Sequence, residues 1–132
     1  MASIRTYDFT NITLIIDGHI VNGFDEGDAI TLEPREAVYD YNEGADGIGE
    51  YTATNKRAQT MGVSLQRTSP SNLIFHKLLK SKEDFDVQLI DNNDGSLSWS
   101  ASNCRIIQNP TFSSGMEASA QEWEFLIPVV NY

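Results

Sequence analysis

The chain has 132 residues, 40% of them hydrophobic, which suits one well-packed domain over 1–132 and is too apolar for a disordered acidic tail. Its 19 acidic and 9 basic residues give a formal net charge of −10. That balance excludes ordinary nucleic-acid binding and docking on anionic lipid, both of which need Lys and Arg to neutralise phosphate.

Cys104 is the single cysteine, so no disulfide can close within the chain, and a reducing compartment is expected at least during folding. Residues 1–10 contain no apolar h-region, so no secretory signal is expected. No apolar run approaches the roughly 18 residues of a membrane helix, so no membrane insertion is expected. The Asn11-Ile12-Thr13 sequon is then read as a chance match.

The first predicted element is a strand over Ile12–Ile16, apolar and largely β-branched. Asp17-Gly18 is a tight-turn signal, and His19-Ile20-Val21 reads as the return strand. Asn22-Gly23 marks a second turn, and Phe24 to Asp28 is acidic and turn-rich. Ile30-Thr31-Leu32 is a short strand closed by Pro34. Glu36 to Glu50 carries Gly44, Gly47 and Gly49 among Asp40, Glu43, Asp46 and Glu50, with Val38, Tyr39, Tyr41 and Ile48 as anchors. The expectation there is a long, acidic, flexible loop.

Ala58 to Gln66 alternates cleanly. Gln59, Met61, Val63 and Leu65 share one face, and Ala58, Thr60, Gly62, Ser64 and Gln66 the other, the period of a strand. Ser69-Pro70 is a helix start, with Ser as N-cap and Pro in the first turn. Leu73, Ile74, Phe75, Leu78 and Leu79 recur at helical spacing, and Lys77 and Lys80 sit at the favourable end of the dipole. This predicts one amphipathic helix over 70–80.

Phe85 to Ile90 is predicted as a strand, Asn93-Asp94-Gly95 as its turn, and Leu97 to Ala101 as the returning strand. Cys104 to Gln108 reads as further strand broken at Pro110, and Phe112 to Ser119 as a connection. Gln121 to Val130 sets Trp123, Phe125, Ile127 and Val129 against Glu122, Glu124 and Leu126, a long terminal strand. The implied fold is mainly β: a β-sandwich or partly open barrel with one short helix packed at its edge.

Motifs for chemistry are sparse. His19 and His76 are the two histidines, and surface or capping roles are expected for both. Cys104 reads as a small buried hydrophobe. Asp91-Asn92-Asn93-Asp94-Gly95 fails the EF-hand loop, because its fifth position is Gly95 and its twelfth is Ser102. Gly44-Ala45-Asp46-Gly47-Ile48-Gly49 has the wrong order for a dinucleotide loop and no Lys-Ser/Thr for a P-loop. No catalytic residue, metal or cofactor is expected.

The run Asn55 to Gln66, followed by Ser69-Pro70-Ser71-Asn72-Leu73, comes after an early strand, a hairpin and a long acidic loop. A helix, a β-hairpin and a terminal strand complete the chain. In this order, and in length and acidity, the chain resembles the tail tube proteins of contractile-tailed phages and the tube subunits of related injection machines, over roughly residues 9–130. The resemblance implies homohexameric rings stacked into a hollow tube, with strands joined edge to edge between subunits as a continuous β-barrel. It implies an acidic lumen through which genomic DNA passes into the host cell without specific binding.

Under this resemblance Thr60, Ser64, Gln66, Glu122 and Glu124 are lumen-facing candidates. Tyr39, Asp40, Tyr41, Glu43, Asp46, Ile48 and Glu50 form the inter-subunit or inter-ring loop, and Leu73, Phe75, Leu78 and Leu79 pack the helix. The expected partners are further copies of the chain, the tail sheath, the baseplate and tape-measure proteins. The expected location is the virion tail, with assembly in the host cytoplasm. The alternative is a β-sandwich binding module of a tail, baseplate or injection machine, recognising protein or carbohydrate through Trp99, Trp123 and the five tyrosines. A small hydrolase using His19 or His76 ranks last.

Overall fold

The computed structural model describes residues 4–95, 97–112, 115–116 and 119–132. Ile12–Ile16 (β1) and His19–Ile20 (β2) form the first hairpin. Asp17 and Gly18 between them have φ of 51° and 77°, the left-handed pair that a two-residue hairpin turn requires. Ile30–Pro34 (β3) follows, then Tyr39–Glu43 (β4) and Gly49–Ala53 (β5), then Gln59–Leu65 (β6). The helix Ser71–Ser81 (α1) precedes Phe85–Asp91 (β7), Trp99–Gln108 (β8) and Gln121–Ile127 (β9).

Seven strands make one antiparallel sheet in the order β2-β1-β7-β8-β9-β6-β3, and β4 and β5 form a separate ribbon. The sheet is bent by β8. Its first half, from Trp99 to Cys104, pairs with β7, and its second half, from Arg105 to Gln108, pairs with β9. The register shifts opposite Phe85/Val87, and Asn103 takes a φ of 58°. An irregularity of this kind bends and twists a strand, so one sheet wraps two sides of a single core. β2 and β3 end the sheet and do not pair with each other, so the barrel stays open. This is the sandwich or partly open barrel that the alternation predicts.

The core follows from the period of two. Met61, Val63 and Leu65 of β6 and Trp123, Phe125 and Ile127 of β9 are all buried. The register sets Val63 against Trp123 and Met61 against Phe125. Leu14 and Ile16 from β1 and Phe85, Val87 and Leu89 from β7 close the same cluster. The helix seals it with Phe75, whose ring meets Trp123 edge-on at 5.4 Å and Phe125 at 5.2 Å. Leu78 and Leu79 lie half-buried against the cluster. Leu73, expected to pack the helix, is instead 68% exposed. At 3.6 residues per turn it points about 200° away from Phe75, so both cannot face the core.

A polar hub ties the helix start to the sheet. Ser69 Oγ accepts from the Ser71 N–H at 3.3 Å and donates to the Asn22 carbonyl at 2.6 Å. Asn72 Nδ2 donates to the carbonyls of Gln66 (3.0 Å) and Arg67 (3.3 Å), and its Oδ1 accepts the Trp123 indole N–H at 3.0 Å. Buried polar groups are thereby all satisfied at this junction. Gly23 passes so close that a Cβ there would stand 2.6 Å from the Ser69 side chain. The helix ends on Lys82 with φ 58°, a left-handed cap.

Three further expectations change. The 36–50 segment, expected as a loop, contains β4, the turn after it and the start of β5. Leu97 lies outside the strands, and the segments predicted around Trp99 and Cys104 are one ten-residue strand. The terminal strand ends at Ile127 because Pro128 follows, and Asn131 exchanges two 2.8 Å backbone hydrogen bonds with Ser100. Of the 112–119 connection, Ser113, Ser114, Glu117 and Ala118 lie outside the described residues.

Candidate assembly surfaces

The outward face of β3, β6 and β9 is polar because the inward one is apolar. Glu124 lies opposite Gly62 and Glu122 opposite Ser64, while Thr31 and Glu33 lie opposite Gly62 and Thr60. Alternation therefore brings Thr60, Ser64, Glu122 and Glu124 onto one surface. Asp25, Glu26 and Asp28 fold over its end, and with Glu122 and Glu124 they put five carboxylates around a concavity of about 400 Å³. Their contribution was not legible beforehand, since an acidic turn carries no signal of which sheet face it will cover. Gln66 lies one residue beyond β6, exposed, and lines a neighbouring hollow with Asp25 and Thr68. Arg105, opposite Leu126 on the same face, is held by Asp84.

Among the described residues, neither edge strand of the sheet has a second strand beside it. Backbone bonds from Ser64 to Ala29 and from Arg35 to Ala58 mark the bonded pairs of the β3–β6 ladder. The intervening Ile30 and Leu32 therefore turn their N–H and C=O groups away from β6, and Pro34 has no N–H to offer. On the far side, the Val21-to-Leu14 bond leaves Ile20 turned outward from β2. Unpaired strand edges invite pairing with another chain.

The β4–β5 ribbon stands off the body and packs chiefly on itself. All ten of its strand residues are exposed. Tyr41 faces Tyr51 directly, with ring centroids 5.3 Å apart, and Tyr39 meets Tyr51 edge-on at 6.3 Å. Asp40, Asn42, Glu50 and Thr52 occupy the opposite face. The turn is firmly made: Gly44 N–H donates to the Ile48 carbonyl at 2.9 Å, and Asp46 Oδ1 accepts from Ile48 N–H at 3.2 Å. Of the residues expected in the inter-subunit loop, Tyr39, Asp40, Tyr41, Glu43 and Glu50 lie on the ribbon's strands and Asp46 and Ile48 in its turn; Tyr51, not among them, faces Tyr41.

Both histidines are engaged in contacts within the fold. His19 Nε2 lies 3.1 Å from Ser71 Oγ, but Ser71 is fully buried and its oxygen also accepts the Asn22 N–H at 3.3 Å. A nucleophile needs access, so this contact pins β2 to the helix start. His76 lies edge-on to the Trp123 ring at 4.7 Å. The tryptophan platform is overturned: Trp99 is 7% exposed and Trp123 is 0%. Among the described residues no group of three His, Cys, Asp or Glu could hold a metal ion. At the Asp91–Gly95 turn, buried Asn93 accepts from the Asp8 N–H at 2.8 Å and donates to Asp91 at 2.8 Å, a structural clasp.

Burial pushes the Cys104 thiol up to about 11, with the Asp86 carboxylate adding to the effect. The native thiol thus holds its proton where an unfolded one, near 9.0, has lost it. Stability from this group is full below pH 9 and is lost as pH rises toward 11. Native protein at pH 8 should resist a thiol reagent and react promptly once denatured. Fast native labelling would show the thiol to be accessible.

No protein-family model matches the chain, and no curated protein matches it. Solved cryo-EM structures do share its fold. The tube-terminating cap of the anti-feeding prophage superposes with a TM-score of 0.66 at 14% identity, covering 99% of this chain and 93% of that one. A chain of the sheath–tube complex of an extracellular contractile injection system, PVC, in the extended state gives 0.63 at 13%, covering 95% and 89%. The sheath/tube terminator of that system gives 0.58 at 13%, covering 98% and 97%. The chain therefore has the fold of tube-associated components of contractile injection systems. That likeness spans nearly the whole length on both sides.

Proposed function

We propose that the chain is a structural subunit of a contractile-tail tube, assembling with copies of itself into stacked hexameric rings. The observation that carries this reading is the open seven-stranded sheet: its apolar face is covered within the monomer, yet among the described residues both its edges and a protruding ribbon are left without partners. Neighbouring copies would pair those edges and close the barrel, which removes the aggregation hazard of a bare strand. The polar face with Thr60, Ser64, Glu122 and Glu124, and Gln66 beyond it, would then line the channel. Its carboxylates repel phosphate, so DNA slides through without being trapped.

In this reading the outer surface meets the sheath, the ends of the tube meet baseplate and tape-measure proteins, and the protein resides in the virion tail. The match to a tube-terminating cap favours a second reading, in which the chain closes the tube with a single ring.

Electron microscopy of the purified protein at rising concentration tests both. Long stacked tubes are expected. Single rings that never stack would favour the cap. A monomer at every concentration and salt, seen by light scattering, would remove the reading altogether.

A further inference from the structure

The ribbon and its root carry opposite chemistry. From Glu36 to Asn55 there are five carboxylates and no Lys or Arg, whereas Lys56 and Arg57 follow at once. At the ribbon's tip Ile48 is 70% exposed, and Asp46 and Glu50 flank it. At the root lies a cleft of about 340 Å³ walled by Pro34, Val38, Val129 and Val130 and rimmed by Lys56 and Arg57. Glu36, also on the rim, is paired with Lys56 at 2.9 Å, and among the described residues Arg57 makes no ion pair.

The tip has the apolar knob and the negative charge, and the cleft has the apolar walls and the positive rim. A molecule cannot use its own tip. Two five-residue strands hold Ile48 roughly 15 Å out from the root, at about 3.3 Å per residue. The tip is also closed by its own turn bonds, so it presents a fixed shape and loses little entropy on docking.

We propose that the Ile48 tip of one copy seats in the Val129–Val130 cleft of a second copy, with Asp46 and Glu50 meeting Lys56 and Arg57. This rests on the self-assembly reading and names the receiving surface for the ribbon. The contact is heterologous, tip to root, so it repeats from copy to copy until a ring closes or a stack grows. The occupant is a second copy because the charges match within one sequence: the tip is acidic, and the root bears the cations that the ribbon itself lacks.

A charge exchange tests it. Lys56→Glu with Arg57→Glu, and separately Asp46→Asn (which keeps the Oδ1 acceptor of the turn) with Glu50→Lys, should each raise the concentration at half-assembly by at least roughly tenfold, since the charge match is then lost or reversed. The fourfold variant carrying both changes should assemble like the original. All four positions are exposed, so each variant should melt as the parent does, and calorimetry verifies that. Ile48→Asp should weaken assembly in the same assay. If the parent assembles and the paired variants assemble equally well, the contact is wrong while the tube reading survives. Blocked pairs that the fourfold variant does not rescue would also overturn it. If the parent itself stays monomeric, the tube reading fails first and this contact falls with it.

Discussion

Replacing Phe75 with alanine should lower the free energy of unfolding by about 3–5 kcal/mol, the usual cost of emptying a fully buried aromatic site. Phe75 is 0% exposed, and its ring is set edge-on between Trp123 and Phe125. The other buried residues of the helix are Ser71 and Asn72, both polar. The helix therefore holds to the sheet by one fully buried apolar side chain, with Leu78 and Leu79 half-buried beside it, plus the hydrogen-bonded hub at its start. A neighbouring residue cannot fill the gap, because Leu78 and Leu79 sit a turn further along and are already engaged. Domains of this size have about 5–15 kcal/mol in total, so the loss is a large share of it.

In a thermal melt the midpoint should fall by roughly 10 °C or more. Phe75→Leu, which keeps most of the volume, should fall much less. A Phe75→Ala midpoint within two or so degrees of the parent would mean that the helix is not a structural part of the core.

Excising the ribbon should have the opposite profile: little loss of stability and a complete loss of tube growth. Val38 and Thr54 already meet at its base, where the Thr54 N–H donates to the Val38 carbonyl at 2.9 Å. Replacing residues 39–53 with an Asn-Gly turn would therefore close the gap without moving the body. Nothing in the core cluster comes from β4 or β5, so the melting midpoint should stay within a few degrees. Exposed Tyr39, Tyr41 and Tyr51, however, would be gone, and with them a cluster of aromatic surface that another copy could cover. Microscopy should then show no extended tubes. Normal tubes from the shortened chain would end the assembly role of the ribbon.

Strand alternation was legible without coordinates. Met61-Gly62-Val63-Ser64-Leu65 and Trp123-Glu124-Phe125 declare one apolar and one polar face, because a pleated strand sends successive side chains to opposite sides. Turn chemistry was equally plain at Asp17-Gly18, and Ser69-Pro70 marked the helix start, although the cap falls on Pro70 and not on Ser69, so that the helix begins at Ser71. These local rules are enough to place the class of fold, the one helix and the polar face with Glu122 and Glu124.

What they could not reach depends on which segments meet. Leu73 looks as apolar as Phe75, and only the helix's orientation over Trp123 turns it outward. Gly49 to Ala53 pairs with Tyr39 to Glu43 across a turn whose glycines made the whole segment read as a loop. Asp25, Glu26 and Asp28 join Glu122 across a sheet register set by distant pairing. Ile30, Leu32 and Ile20 lie at edges because β2 and β3 end the sheet and do not pair with each other. Local sequence governs conformation over a few residues, whereas neighbours far apart in the chain are chosen by packing and ladder register, which no single segment encodes.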